Sequence, residues 1–184
     1  MTIRLTLVAA AAGPALRERR FGDDQPLDER GLEQARAAAS TLPPSMLHFT
    51  APAVRCRQTA EAMGLTAEVE SALEDCNMGS WRGRTLDDLI ADAPDALAAW
   101  TTDPSAAPHG GESVTQVCDR VGTWLDGLPS GTGRALAVTG PAAIRAAVVH
   151  ALAVPPAAFW RIDVPPLAIT RLTGYAGRWN LRLG

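Results

Sequence analysis

Apolar residues run almost without a break from position 3 to 9 and then give way to small ones, which predicts a buried first strand. The period changes after Pro26. Between 28 and 42, Leu32, Ala35, Ala38, Ala39 and Leu42 recur at helical spacing, and Asp28 is placed to cap the first turn. Pro43 and Pro44 stop that helix, and residues 46–50 read as a second buried strand. Strand, helix and strand in that order predict a crossover and a parallel sheet. A helix starting at Ala51-Pro52 runs to about 63, and 67–69 is a candidate third strand.

From 73 to 111 the pattern is irregular. Short helices are expected at 85–91 and 94–100, followed by a stretch rich in Pro, Ala and Gly at 104–111. Segments of this kind build the rim of a site. A helical face returns at 113–128 through Val114, Val117, Val121, Trp124 and Leu125, then a strand at 135–139 and a helix at 142–152. The tail alternates like two strands, 167–173 and 178–183, joined through 174–177 as a hairpin at the sheet edge. With no repeat and no low-complexity linker, residues 1–184 are expected to form one domain with a rim segment at about 73–111.

Composition narrows the chemistry. All 17 basic residues are arginines, which excludes Walker-type phosphate loops and every lysine nucleophile or base. Net charge is −3 and the arginines are scattered along the chain, so neither nucleic acid nor an anionic membrane is an expected partner. Cys56, Cys76 and Cys118 are too few and too far apart for a disulfide framework or a zinc knuckle and read as reduced thiols. No cofactor and no metal are expected. Arg4 ahead of an apolar run and four alanines has the outline of a secretion signal. The run is short, however, its positive region is one residue, and no stretch approaches the ~18 apolar residues of a membrane span. A cytoplasmic protein is expected.

The motifs have a more specific likeness. Leu5-Thr6-Leu7-Val8, then Pro26-Leu27 with Gly31 and Gln34-Ala35, then Arg55 with Gln58-Thr59-Ala60 resemble the histidine phosphatase superfamily, the phosphoglycerate mutase-like proteins. Leu73 with Gly79, Trp81 and Gly83, then Gly110-Gly111-Glu112-Ser113, then Ala137-Val138-Thr139 with Ile144-Arg145 continue that order over almost the whole chain. The resemblance implies a three-layer α/β/α sandwich with a mostly parallel sheet and an antiparallel edge strand. It also implies a chemistry in which a histidine after the first strand, in an Arg-His-Gly triplet, takes the phosphoryl group. The triplet arginine, a second arginine and a second histidine hold the oxygens, and a carboxylate protonates the leaving group. That arrangement suits a phosphoryl group, whose charge is spread over three oxygens.

In this chain the triplet falls on Ala9-Ala10-Ala11 and the second histidine on Gly140. Neither can attack or hold a phosphoryl group. The acid position falls on Asp75, beside Glu74, and Arg55 alone remains of the four strongest groups. Loss of a nucleophile costs about 10⁶ in turnover, so by the family mechanism there is no catalytic residue. Arg55 either pairs with Asp75 or, aided by the helix N-terminus after Pro52, holds an anionic ligand. His109, ahead of Gly110-Gly111, is a candidate ligand contact; His48 in the second strand and His150 in a helix are weaker candidates. Arg17, Arg19 and Arg20 are either rim charges or a solvated face, and Glu112 with Ser113 are expected to cap the following helix.

The resulting expectation is an inactive homologue acting as a binding or regulatory module. Its ligand would be small and phosphorylated or otherwise anionic, with a protein partner or a second copy of the chain also considered. The alternative is a weak or divergent phosphatase or mutase-like enzyme acting on phosphate monoesters.

Overall fold

The computed structural model describes residues 2–22 and 24–183. Six strands build one sheet: β1 (Ile3–Ala9), β2 (Leu47–Thr50), β3 (Glu68–Val69), β4 (Arg134–Thr139), β5 (Ile169–Tyr175) and β6 (Arg178–Arg182). Their spatial order is β3-β2-β4-β1-β5-β6. The first four strands named are mutually parallel, and β5 runs against both β1 and β6. Both faces of the centre are covered, so β1 and β4 are buried on nearly every residue and read as unbroken apolar runs instead of alternating ones.

The terminal hairpin expected from the alternation closes one edge, with β6 outermost. Its turn is tighter than the four-residue connection in the sequence reading: only Ala176 and Gly177 lie between the strands, both at positive φ. A two-residue turn of that hand matches the twist of the strands it joins.

The helices are α1 (Pro14–Arg17), α2 (Glu29–Ala38), α3 (Val54–Ala62), α4 (Leu86–Asp92), α5 (Pro94–Thr102), α6 (Val114–Gly127) and α7 (Pro141–Leu152). In this three-layer arrangement α6 and α7 pack together on one face, where Trp124 meets Phe49 edge-on at 5.8 Å. Helices α2 and α3 pair on the other. Asp28 caps α2 by accepting the Gly31 amide at 3.0 Å. Ser113 and Gln116 form a reciprocal capping box at α6. Glu112, expected to help cap α6, has a different role described below. Among the described residues no helix is long and apolar enough to cross a membrane.

The segment after β3 carries its own small core. Met78, Trp81, Leu89 and Trp100 are buried together, with Phe21 stacked edge-on against both tryptophans at 5.8 Å. Two glycines let its strap cross itself. A Cβ on Gly79 would run into the His109 carbonyl, and one on Gly111 into the Asn77 carbonyl.

Candidate functional site

The loops following β1, β2 and β4 come together at the carboxyl ends of those strands, where ligands sit in open α/β sheets. The Ala10 amide donates to the Thr139 carbonyl at 2.9 Å, and the Ala51 amide to Val138 at 2.9 Å. The Ala11 amide donates to Thr59 Oγ1 at 3.1 Å, and that hydroxyl donates to the Arg55 carbonyl at 2.7 Å. Ala9, Ala10 and Ala11 are all buried. The alanine triplet, Arg55 and Gly140 therefore meet at one place.

Arg55 is committed to an internal partner. Its Nη2 donates to Asp75 Oδ2 at 2.6 Å, with the two side chains 18% and 27% exposed. Burial is the largest single influence and lowers the pKa of the guanidinium; the negative charge and hydrogen bond of Asp75, with Cys56 and Asp24 nearby, together outweigh it, and the net shift is upward. The other Asp75 oxygen accepts the Ala142 amide at 2.9 Å, in the first turn of α7. Of the two alternatives the sequence left open for Arg55, pairing with Asp75 is the one seen.

Gly140 makes this geometry feasible. Its backbone is extended, at φ −82° and ψ 167°, a conformation open to any residue. A Cβ there would lie 2.9 Å from Asp75 Cβ and closer still to the carboxylate. Asp75 thus occupies the space a side chain at position 140 would need.

A second carboxylate serves the same end of the sheet. Helix α3 has no capping side chain of its own; Asp24 instead accepts the Val54 amide at 2.7 Å. Two helix N-termini that would attract an anion, those of α3 and α7, thus already carry one from the chain itself. Asp24 escaped the sequence reading because it lies 30 residues from Val54 and matches no local capping pattern.

Arg120 is a second residue with no signal in the sequence. It forks onto Glu112 through Nε and Nη2 at 2.9 and 2.8 Å, while its Nη1 donates to the Ala72 and Glu74 carbonyls at 2.8 and 2.9 Å. Glu112 also accepts the Asn77 amide at 3.0 Å. The pair clamps the loop on either side of Asp75, which corrects the expectation of a capping role for Glu112.

Arg145, one turn into α7, donates from Nε to the Ile162 carbonyl at 2.8 Å and lies over the Phe159 ring at 5.5 Å. Burial lowers its pKa.

The remaining candidates lie elsewhere. His109 is 3% exposed, with its ring edge-on to Trp81 at 5.0 Å and to Trp100 at 6.2 Å in the core of the 73–111 segment. Its Nδ1 accepts the Gly111 amide at 3.0 Å, and Nε2 is buried without a partner. That placement corrects its reading as a contact at the pocket mouth: a ring enclosed by tryptophans presents no surface to a ligand. His48 Nε2 is 3.0 Å from Ser45 Oγ, and His150 Nε2 is 3.0 Å from Asp126 Oδ1. Arg17 pairs with Asp28, and Arg20 with Glu18 at 2.6 Å, so both belong to a solvated face. Burial pushes the Cys56 and Cys76 thiols up to about 12 and Cys118 to about 11, which leaves no thiolate nucleophile. Among the described residues no three His, Cys, Asp or Glu side chains group as metal ligands.

The model of the histidine phosphatase superfamily (branch 1) matches residues 10–183. Glucosyl-3-phosphoglycerate phosphatase of Mycobacterium tuberculosis is 39% identical over 103 residues, covering 53% of this chain and 46% of that protein. The chain spans about half the length of the curated relatives it matches. A mycobacterial glucosyl-3-phosphoglycerate phosphatase solved with VO3 superimposes with a TM-score of 0.85 at 29% identity, over 98% of this chain and 97% of that one. The same enzyme solved with inorganic phosphate gives 0.81 at 28% identity, over 98% and 95%.

Proposed function

The chain belongs to the histidine phosphatase superfamily, and we propose that it is a member which keeps the fold, has lost phosphohistidine chemistry and serves as a binding or regulatory module. The single observation that carries this reading is the closed Arg55–Asp75 pair lying across Gly140. In a phosphatase of this type Arg55 would face a phosphoryl group. Here its charge is neutralised from within, the neighbouring amide at Ala142 is satisfied by the same carboxylate, and the methyl side chain of Ala10 has no lone pair with which to attack. An internal carboxylate acts as a permanent tenant of an anion site.

Any small anionic ligand at this site has to displace Asp75. Orthophosphate is therefore expected to bind the Asp75→Ala variant, which releases both Arg55 and the Ala142 amide, and not to bind this site in the parent chain.

The second reading, a weak or divergent phosphatase of phosphate monoesters, is favoured by the relatives, which are named as phosphatases and are solved with phosphate and VO3. Turnover of an aryl phosphate decides between the two. The proposed reading expects no rate above background in extensively purified protein. A rate that survives purification and disappears in Arg55→Ala overturns it.

A further inference from the structure

The sheet ends on β6, which is last in the strand order and, among the described residues, pairs with β5 alone. Which of its backbone groups face outward follows from the phase of the ladder. The turn between β5 and β6 has two residues, both at positive φ, so Tyr175 and Arg178 close it as a hydrogen-bonded pair. The alternation then bonds Thr173 to Asn180 and turns the amides and carbonyls of Trp179 and Leu181 away from β5. The other side of β5 agrees with this phase. Leu172 and Thr170 face β1, and the Ala9 amide continues that series by donating to the Ala168 carbonyl at 2.9 Å.

Edge strands are blunted by bulges, prolines or charge. β6, Arg-Trp-Asn-Leu-Arg, keeps an unbroken register with β5 over its 5 residues and contains no proline. It has an arginine at each end and no acidic residue. A second copy of the same strand would bring the same charges, and like charges on facing strands are unfavourable; a strand bearing carboxylates is matched.

Beside this edge lies a concavity of about 580 Å³, walled by residues 177–180 of the hairpin, by Asp119 of α6 and by the end of α7 with the loop after it. Trp179 fixes how the edge presents it. Its buried ring lies against Gly174 and its Nε1 donates to Asp126 at 3.2 Å, so it points to the face that α6 and α7 cover. A residue of an added strand set opposite Trp179 points to the same face, where Val149, Leu152 and Val154 line the concavity. Leu152 is 49% exposed there. The residues on either side of it in the added strand point to the other face, which Arg178 shares.

We propose that the β6 edge binds an extended segment of another protein by strand addition. The segment carries an aliphatic residue that enters the concavity, flanked by acidic residues facing Arg178. Main-chain hydrogen bonds supply affinity, and the concavity with Arg178 selects the sequence. The contact involves neither Arg55 nor Asp75 and does not depend on the state of that pair.

The test is binding of a capped, fluorescein-labelled peptide, Glu-Val-Glu-Leu-Glu-Val-Glu, to the full chain at low salt, followed by anisotropy and by amide hydrogen exchange. Binding should saturate and should slow exchange at the Trp179 and Leu181 amides, leaving Arg178 and Asn180, already bonded to β5, unchanged. A peptide with lysine in place of each Glu should bind about tenfold more weakly, and Arg178→Glu should reverse that preference. N-methylation of the Val and Leu amides blocks the ladder while keeping the side chains, and should abolish binding. Leu181→Pro removes an outward amide, a change an edge strand tolerates, and should weaken binding about tenfold with the circular dichroism of the parent retained. Should that variant unfold, Arg178→Glu and the methylated peptide decide the matter. The proposal fails if the acidic peptide does not saturate the parent, if the methylated peptide binds equally well, or if the slowed amides lie elsewhere. It also fails, in favour of a second copy, if sedimentation shows a dimer of the parent that Leu181→Pro separates.

Discussion

Gly140→Ala tests the central claim with one methyl group. The backbone there is extended, so alanine meets no conformational penalty and on its own would stabilise the chain by about 0.5 kcal/mol through the unfolded state. The methyl would nevertheless sit 2.9 Å from Asp75 Cβ, a contact no rotation of the Asp75 side chain relieves. The loop carrying Asp75 must retreat, which opens the ion pair to Arg55 and the bond from Ala142. Breaking a fully buried pair costs ~3–5 kcal/mol. With the two side chains 18% and 27% exposed, about 2 kcal/mol is the appropriate share, after discounting for solvent screening. The amide bond adds about 1 kcal/mol. The net expectation is a loss of ~2–3 kcal/mol, or about 5–10 °C in melting temperature for a chain of this length. Urea unfolding followed by circular dichroism measures it. The same substitution in an Asp75→Gly background, where the three atoms nearest the methyl are gone, should cost little, giving a coupling of about 2–3 kcal/mol. Equal costs in the two backgrounds, or a loss under about 0.5 kcal/mol in the parent, would refute the claim that Asp75 fills the space beside residue 140.

Three further outcomes follow from the geometry. Arg120→Ala removes a bidentate pair and two carbonyl contacts around Asp75, and urea titration should register a loss of about 2–4 kcal/mol that Arg120→Lys does not recover, since an ammonium cannot fork. Burial lowers the pKa of His109 below its ordinary value of 6.5, so its contribution to stability is complete above that pH and declines as pH falls through 6.5 towards the folded value. Melting curves across that range should be steeper in pH for the parent than for His109→Gln, and identical slopes would contradict the burial. With thiol pKa values of about 11 and 12, the folded protein at pH 8 should react negligibly with a disulfide reagent on the timescale of minutes, and all three cysteines should react once it is unfolded.

Which loops meet at this end of the sheet is legible in the sequence. Ala10 and Gly140 could be placed against the motif because the flanking strands are apolar runs with unambiguous ends, and their loops do meet through the Ala10–Thr139 bond. Arg55 was legible as a residue and not as a state, since both its fates use the same side chain. His109 was misread because a Gly-Gly neighbour suggests an exposed loop, whereas Trp81 and Trp100 enclose its ring. Asp24 and Arg120 were invisible because their partners lie across loops at separations no local rule covers.

The linear pattern determined which segments are strands and helices, since period and punctuation are local properties: apolar runs at β1 and β4, helical spacing in α2 and α6, prolines between them. It determined that Ala10 cannot be a nucleophile, because no environment supplies a missing functional group. Which charges meet was decided only by tertiary structure. Asp75 reaches Arg55 and Ala142 from a loop, and Asp126 meets His150 of α7 and Trp179 of β6 only through helix packing and strand order. Electrostatic interaction depends on distance in space, and a sheet whose neighbours are far apart in sequence is what brings residues scattered along the chain together.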